Sequence, residues 1–294
     1  MTQSMTAPPE QFHFGIDYIR EHFGSNVALA TQQMAHNRYR SNLQPLVDHI
    51  FASLELTGRE SLLDVGCGNG FILRDIVSRM RDGGRVVALD ISPAMLELAK
   101  RNVTVAWVPL EFTEGNANDL SRYADGAFDR VMANYIFHYI DEPDTVLSEL
   151  RRVTADDGRA LVTIEARHSM PEMYAMHFEA MERVGFPADF IGRLPRGRRG
   201  VMTLDNTAEY AAKHFSSVEE RPYADALRFA TPEPFMNFYV AGHRYCGALP
   251  KADDTIPREL FDALHADVER QVSARIAERG YFELTKHNSV FVCS

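Results

Sequence analysis

The stretch LLDVGCGNG, Leu62 to Gly70, decides the fold of this chain. An apolar run is followed at once by three glycines, Gly66, Gly68 and Gly70. A glycine-rich turn after a strand lets the backbone adopt positive φ, and it lets a ligand approach main-chain N–H groups without a Cβ in the way. The stretch therefore predicts the first strand of an α/β sheet with a ligand-binding loop at its carboxyl end.

The spacing of the glycines separates two kinds of nucleoside ligand. A dinucleotide site of the G-x-G-x-x-G type needs its third glycine where Phe71 stands. Asp64, two residues before the loop, would repel a pyrophosphate but suits a cationic amino group. Asp90 ends the next apolar run, twenty positions after Gly70, where a carboxylate can accept both hydroxyls of a ribose. These features favour an adenosyl amino acid over a dinucleotide and disfavour a nicotinamide oxidoreductase.

Strands and helices alternate from residue 61 to residue 166. A helix at 35–56 precedes this region. Such alternation implies parallel strands joined by right-handed crossovers, hence a doubly wound α/β sheet. The predicted strands are SLLDVG (61–66), RVVALD (85–90), a weaker one in LEFTEGNANDL (110–120), FDRVMAN (128–134) and DGRALVTIEA (157–166), and the predicted helices are 71–80, 92–102 and 141–154.

The alternation ends after Glu165. The remaining segments are predicted as helices at 168–184, 203–215, 232–243 and 257–280, a loop at 185–203, a strand region at 217–230, and a strand pair or a broken strand at 281–294. The predicted fold is a seven-stranded, mostly parallel sheet with N-terminal helices and an inserted helical cap. The predicted units are a lid at 1–34, an α/β core at 35–165, the cap at 166–204 and the rest of the α/β domain at 205–294.

Composition narrows the class of protein. The net charge of −10 argues against binding nucleic acid, and the three cysteines form no C-x-x-C pair that would indicate a metal cluster. No apolar run approaches the roughly 20 residues that span a membrane, and the N-terminus MTQSMTAPPEQ lacks the features of a secretory signal. We expect a cytoplasmic protein that acts on a small molecule, with no metal, membrane or nucleic-acid partner.

Four motifs together resemble a known family. LLDVGCGNG is followed by VVALDIS (86–92), by EGNANDL (114–120) and by FDRVMANYIFHYIDEPDTVLSELRRVTADDGRALVTIEA (128–166). In this order they resemble the class I S-adenosylmethionine-dependent methyltransferases, in their small-molecule, type-11-like branch. The resemblance covers roughly residues 35–165. It implies a Rossmann-like methyltransferase fold and S-adenosylmethionine as cofactor, with S-adenosylhomocysteine as product.

The resemblance also implies which residues hold the methionine and ribose ends of the cofactor. Asp64 and the backbone of Gly66, Cys67 and Gly68 would bind the methionine end. Asp90 would bind the ribose.

The adenine ring and the sulfonium have implied partners as well. Ile91 and Met95 would flank the adenine, and Ala117 would present its backbone N–H to the ring. The family usually has an acid where this chain has Asn116, whose amide oxygen can still accept the hydrogen bond of the adenine amino group. Asn134, just beyond the fourth strand, would lie near the sulfonium.

Candidate catalytic residues follow the fourth strand. Methyl transfer from a sulfonium needs mainly alignment of the reacting atoms, and a base is required only when the acceptor must lose a proton. His138 is a candidate for that base or for orienting the acceptor, and Tyr135 for lining the same pocket with its ring against the sulfonium. A packed histidine bonded to backbone is the alternative for His138.

Candidate acceptor-binding residues come from three segments. His168 and Glu165 follow the fifth strand, and Tyr18 belongs to an aromatic N-terminal segment that could fold over the pocket. Met176 and His177 lie on a methionine-rich helix that could roof an apolar acceptor, although core packing explains such a stripe equally well. The arginines of the loop at 193–199 either attract an anionic substrate or are simply solvated.

The predicted function is therefore methyl transfer to a small molecule, for example a secondary metabolite. A non-catalytic sensor or subunit that binds S-adenosylmethionine is the alternative. A protein or nucleic-acid N-methyltransferase is less favoured, because the run Asn134-Tyr135-Ile136-Phe137 lacks the two prolines typical of those enzymes.

Overall fold

The computed structural model describes residues 27–194, 196–197, 200–246 and 256–294. Its centre is one sheet of seven strands in the order β3-β2-β1-β4-β5-β7-β6. Of the strands described, β7 alone runs against the others, since it is antiparallel to both β5 and β6. The predicted α/β fold with a mostly parallel seven-stranded sheet is confirmed. The strands are β1 Ser61–Val65, β2 Arg85–Asp90, β3 Leu110–Glu114, β4 Phe128–Asn134, β5 Thr154–Glu165, β6 Val218–Phe229 and β7 Phe282–Cys293.

The helices that flank the sheet begin and end at recognisable signals. The Ser92 hydroxyl caps one helix by accepting the N–H of Met95, and Pro93 occupies its first turn. Another ends at Gly185, which has a φ of +91°. The helices are α1 Val27–Tyr39, α2 Leu46–Ser53, α3 Phe71–Val77, α4 Pro93–Asn102, α5 Pro143–Val153, α6 Pro171–Val184, α7 Ala188–Arg193, α8 Thr207–Ala211, α9 Pro232–Cys246 and α10 Arg258–Arg279, and a single 3-10 turn spans Phe137–Tyr139.

The helix predicted over 35–56 is wrong in extent, because the chain breaks there into α1 and α2. A carboxylate oxygen of Asp225 on β6 accepts the backbone N–H groups of Ser41 (3.1 Å) and Asn42 (3.0 Å), which draws this segment out of helical geometry. Pro45 then precedes α2 in an extended conformation. The break thus follows from a contact 184 residues away in the chain, which local periodicity does not reveal.

Two other local predictions also change. The segment 185–203, predicted as a loop, contains the short helix α7. The segment 281–294, predicted as a strand pair or a broken strand, forms the single long strand β7.

Both faces of the sheet are covered, as a doubly wound fold requires. On one face, side chains of β1, β4 and β5 such as Leu62, Met132 and Leu161 pack with α2, α3 and α4. On the other, the alternate residues, among them Leu63 and Val131, pack with α5 and α8. The strands in the centre are therefore apolar on both sides, and polar groups can lie only at their ends.

A third apolar core lies beyond the carboxyl ends of the parallel strands. β6 and β7 pair along twelve residues, but β5 pairs only with the 288–293 part of β7. The remaining half of the β6–β7 ribbon projects past the end of β5, and α1, α6, α9 and α10 pack against it and one another. The segment predicted as a cap, 166–204, supplies α6 and α7 to this helical layer, and its status as a separate unit stays a prediction. The lid predicted at 1–34 lies mostly outside the described residues, which begin at residue 27.

Among the described helices, none combines the length and the apolar character needed to cross a membrane.

The helical layer gives a testable prediction about stability. The ring of Phe282 is 3% exposed and meets Phe235 edge-on at 4.9 Å, whereas its neighbour Tyr281 is 39% exposed. We expect Phe282→Ala to lower the free energy of unfolding by about 3–5 kcal/mol, because it empties the third core. We expect Tyr281→Ala to lower it by less than about 1 kcal/mol. Urea denaturation of both variants checks this, and equal losses would contradict the described packing.

Candidate functional site

A row of polar side chains lies along one face of the sheet at its carboxyl edge. Residues two apart in a strand share a face, so the register of the pairs identifies the members of the row. On the parallel strands they are Asp90, Asp64, Asn134 and Glu165. On the antiparallel ribbon the same face continues through Asn288, Lys286, Tyr223 and Asp225. One face of the sheet is therefore apolar along most of its length and ends, at the carboxyl edge, in a continuous row of polar side chains.

A cavity of about 950 Å³ opens over this row. Its volume is near the upper end of the range for small-molecule sites, about 300–1,000 Å³. The walls come from the glycine loop, the turn after β4, the end of β5, the β6–β7 ribbon and α1. A cavity of this size has room for a nucleoside ligand and a second small molecule side by side.

The glycine loop after β1 borders the cavity, and its hydrogen bonds and close packing explain why glycines stand there. The N–H of Gly66 donates to the carbonyl oxygen of Leu89 (2.7 Å), and that of Gly68 donates to the carboxylate of Asp90 (2.8 Å). Gly66 has a φ of +73°, and a Cβ on it would lie 2.3 Å from Ile136 Cγ2. Gly68 has a φ of +54°, and a Cβ there would meet no described atom within 4 Å. The first glycine thus permits close packing, while the second leaves open space beside the cavity.

Asp64 and Asp90 place two carboxyl groups beside the glycine loop, and we call the loop with these two acids the cradle. Asp64 is 2% exposed, and its burial, followed by the nearby charge of Asp90, raises its pKa to about 8. Burial also raises the pKa of Asp90, although its carboxylate accepts the N–H groups of Gly68 and Ser92. Two adjacent acids with raised pKa values favour a cationic ligand, because a positive charge would offset both the burial and the mutual repulsion.

Helix α1 is fastened to the glycine loop. The side-chain amides of Gln33 and Asn69 exchange two hydrogen bonds, of 3.1 and 2.8 Å. The side-chain amide of Asn102 donates to the backbone carbonyl oxygen of Asn69 (2.9 Å) and so fixes this residue from the other side. His36, one helical turn after Gln33, faces the same cavity. The helix therefore forms a wall that touches both the loop and the opposite end of the cavity.

The turn after β4 presents oriented polar groups. Asn134 Oδ1 accepts the hydroxyl of Thr163 (2.6 Å), while its buried Nδ2 has no hydrogen-bond partner among the described residues. Tyr135 has a φ of +59°, an uncommon conformation for a residue with a side chain, and its N–H donates to the Thr163 carbonyl (2.9 Å). His138 lines the cavity with its ring centroid 4.1 Å from that of Tyr139.

The far end of the cavity carries a buried ion pair. Lys286 Nζ lies 3.6 Å from Glu165 Oε1, and the two side chains are 5% and 7% exposed. Lys286 Nζ also lies 3.3 Å from Nδ1 of His36. Sequence reasoning named Glu165 but missed Lys286 and His36. The signal for Lys286 was present, since it interrupts the apolar face that alternate residues of β7 otherwise form beyond β5.

The structure brings together most of the residues predicted for the site. The predicted residues that line the cavity are Asp64, Gly66, Cys67, Gly68, Asp90, Ile91, Met95, Asn116, Ala117, Asn134, Tyr135, His138 and Glu165. Their individual roles remain predictions.

Three predicted acceptor-binding residues lie elsewhere. Met176 and His177 are buried in the core of the helical layer, where His177 Nδ1 hydrogen bonds with the hydroxyl of Tyr239 (2.5 Å) and burial lowers the pKa of His177 to about 4. Their stripe packs within that layer instead of roofing the cavity. His168 is exposed and lies outside the cavity wall. Tyr18 is outside the described residues.

The arginine-rich loop does not contribute a described side chain to the cavity wall. Arg193 and Arg196 stack over the rings of Phe190 and Phe178, at 5.8 and 4.3 Å from their centroids. Residues 198 and 199 are outside the described ranges.

Known proteins share this architecture. Residues 63–162 match the type-11 family described as "Methyltransferase domain". The chain is 36% identical over 141 residues to demethylmenaquinone methyltransferase of Lactococcus lactis, covering 48% of this chain and 54% of that protein. It is 28% identical over 167 residues to a ubiquinone biosynthesis O-methyltransferase of Xanthomonas oryzae, covering 56% and 64%. The chain thus spans less than two thirds of the length of either relative.

The likeness to solved structures extends over the whole fold. Phosphoethanolamine N-methyltransferase 2 of Haemonchus contortus, solved in complex with S-adenosyl-L-methionine, superposes with a TM-score of 0.55 at 16% identity, covering 98% of this chain and 61% of that one. At this identity the likeness concerns the fold alone. The resemblance seen in the sequence is thus confirmed as a match of residues 63–162 to a methyltransferase domain family, together with a fold shared with a solved methyltransferase.

Proposed function

We propose that the chain is an enzyme that transfers a methyl group from S-adenosylmethionine to a small-molecule acceptor. The observation that carries this proposal is the pair of buried carboxyl groups, Asp64 and Asp90, around a loop that leaves open space at Gly68. The ligand that suits this cradle is cationic and carries a ribose. The cofactor, when bound, supplies a methyl group already activated by its positively charged sulfur.

The residues around the cradle fit that cofactor. Asp64 would accept hydrogen bonds from its amino group, which would favour the ionised carboxylate in spite of burial. Asp90 already uses both oxygens to accept backbone N–H groups, and each oxygen retains a lone pair for a ribose hydroxyl. The backbone of Gly66 and Cys67, fixed by its bonds to the Leu89 carbonyl, would border the methionine end.

The adenine end would lie between the turn after β3 and the start of α4. Met95 is 1% exposed and Ile91 precedes the cap of that helix, so both offer apolar surface to a ring. Asn116 Oδ1 accepts the N–H of Asn118 (3.0 Å), which orients the amide while leaving it a second lone pair. Ala117 lines the cavity beside it.

A small acceptor is supported by the size of the cavity and by the relatives. One relative is named for demethylmenaquinone and the other for ubiquinone biosynthesis. We assign Tyr135, His138 and Asn134 to the border between cofactor and acceptor, where they would align the reacting atoms and exclude water. A panel of small acceptors, with release of S-adenosylhomocysteine as the readout, tests the enzyme directly. A non-catalytic sensor would bind the cofactor and release none.

The raised pKa of Asp64 predicts proton release on cofactor binding. At pH 7 a carboxyl with a pKa of about 8 is mostly protonated, and the amino group of the ligand favours its ionised form. We expect close to one proton to be released per S-adenosylhomocysteine bound near pH 7, and the release to fade above pH 9 or so. Calorimetric titrations in buffers of different ionisation enthalpy measure it, and an enthalpy independent of the buffer would contradict this assignment.

The same carboxyl predicts the effect of pH on the ligand-free protein. The folded-state pKa of Asp64 is above its unfolded value of about 4, so its contribution to stability is lost as pH rises from about 4 to about 8. We expect Asp64→Asn to stabilise the ligand-free protein at pH 8–9, by on the order of a few kcal/mol, and to weaken S-adenosylhomocysteine binding at least about 100-fold.

The matched control for that variant is Asp156→Asn, which removes an acid whose side chain is fully exposed. It should alter neither thermal unfolding nor binding. If Asp64→Asn bound the ligand as tightly as the control does, Asp64 would have no part in holding the amino group.

A further inference from the structure

The position of the cofactor motifs identifies the end of the cavity that is left for the acceptor, an inference that rests on the proposed function. Asp90 lies on β2 and Asp64 on the adjacent β1, so the ribose and the amino acid end would follow the strand order in that direction. The next strands in the same order are β4, β5 and β7. The polar row continues there through Asn134, Glu165 and Lys286. These residues border the part of the cavity that the cofactor motifs do not account for.

The ion pair of Glu165 and Lys286 is the unusual feature of this end. Taking two charged groups out of water costs several kcal/mol for each ion unless good geometry offsets it. Here the N···O separation is 3.6 Å, longer than the 2.7–2.9 Å or so of a direct charge-assisted hydrogen bond. The pair is thus buried and faces a cavity, but it is not closed into an optimal contact.

His36 contacts the ammonium of this pair, whereas the nearby Asp225 has other partners. Nδ1 of His36 lies 3.3 Å from Lys286 Nζ, and it can accept from the ammonium when the neutral ring carries its proton on Nε2. Asp225 is the cross-strand neighbour of Lys286, but its Oδ1 accepts the backbone N–H groups of Ser41, Asn42 and Ala226. Glu165 is therefore the carboxylate that we assign to Lys286, and His36 positions the ammonium.

A hydroxyl is the acceptor group that complements this pair. Its oxygen can accept from the ammonium while its proton is donated to the carboxylate. An oxygen about 2.8 Å from each atom closes a triangle on the 3.6 Å base. An amine that accepts from Lys286 uses its one lone pair and has none left for attack, and a carboxylate brings no proton to share with Glu165.

The hydroxyl must also be acidic enough for a carboxylate to receive its proton. A phenol such as that of tyrosine has a pKa near 10, which an adjacent ammonium lowers further, whereas an aliphatic alcohol is a far weaker acid. An enol belongs with the phenols in this respect.

We propose that Glu165 and Lys286 form the subsite that binds and deprotonates a phenolic or enolic hydroxyl, which is then methylated on oxygen. The O–H proton passes to the Glu165 carboxylate, and an electron pair of the oxygen forms the new bond to the methyl carbon. The electrons of the breaking carbon–sulfur bond stay on sulfur, which becomes a neutral thioether. Lys286 remains protonated throughout and stabilises the negative charge that develops on the acceptor oxygen.

A series of ring-substituted phenols tests the assignment, with pKa values from about 10 to below the assay pH. Wild type should methylate them, and Glu165→Gln should lower kcat about 100-fold or more for the least acidic phenols, the usual scale of general-base catalysis. The loss should shrink towards unity for phenols already ionised in solution, which need no base. A merely structural role of Glu165 would give the same loss across the series.

A binding measurement without any methyl donor provides the second readout. A nitrophenol titrated into the ligand-free protein should bind as its coloured phenolate, with its pKa lowered by Lys286. Lys286→Met should abolish that shift and weaken phenolate binding at least about tenfold, as loss of a charge-assisted hydrogen bond predicts.

The control is Glu283→Gln on the opposite face of the same ribbon, where Glu283 pairs with Arg228 outside the cavity wall. It should leave both readouts at the wild-type values. Failure of wild type to bind S-adenosylhomocysteine would refute the proposed function itself. Two other results would overturn the subsite and leave the proposed function standing. One is a wild type that binds this ligand and methylates amines but not phenols. The other is phenol turnover that is unchanged in both Glu165→Gln and Lys286→Met.

Discussion

Burial of the Asp64 carboxyl beside Asp90 disfavours its ionised form at this edge of the sheet, and a bound cation would offset that effect. Much of the surrounding geometry keeps the two acids in that position. The parallel register of β1 and β2 puts both on one face, and the glycine loop bonds back to β2 through Leu89 and Asp90. Asn69 then connects the loop to α1. The two acids, the glycine loop and α1 are thus connected by hydrogen bonds into one unit.

The sequence identifies most of the residues that gather at this end of the cavity, because their signals are local. The three glycines, the acids before and after them, and the strand spacing all lie within about 100 residues and obey general rules of parallel sheets. The break between α1 and α2 was not predictable in this way, since it depends on Asp225. The same holds for Met176 and His177, whose spacing fits a roof or a core equally well until α10 is seen packed against α6.

The two halves of the cavity have different origins in the chain. The residues assigned to the cofactor lie between Asp64 and Asn134, in the part that matches the methyltransferase domain family. Those at the acceptor end come from α1 and from the ribbon that follows residue 217, with Glu165 at the boundary. Because register fixes which face a side chain occupies, a shift of β7 by one residue would remove Lys286 from the cavity and leave Asp64 and Asp90 untouched. The acceptor end is therefore free to vary without loss of the cofactor end.

Helix α1 links the two ends of the cavity mechanically. Gln33 holds the glycine loop and His36 holds Lys286, and the two side chains are one turn apart on one rigid element. Lifting the helix breaks both contacts in a single movement. A displacement of α1 would therefore alter the cavity wall at both of its ends together.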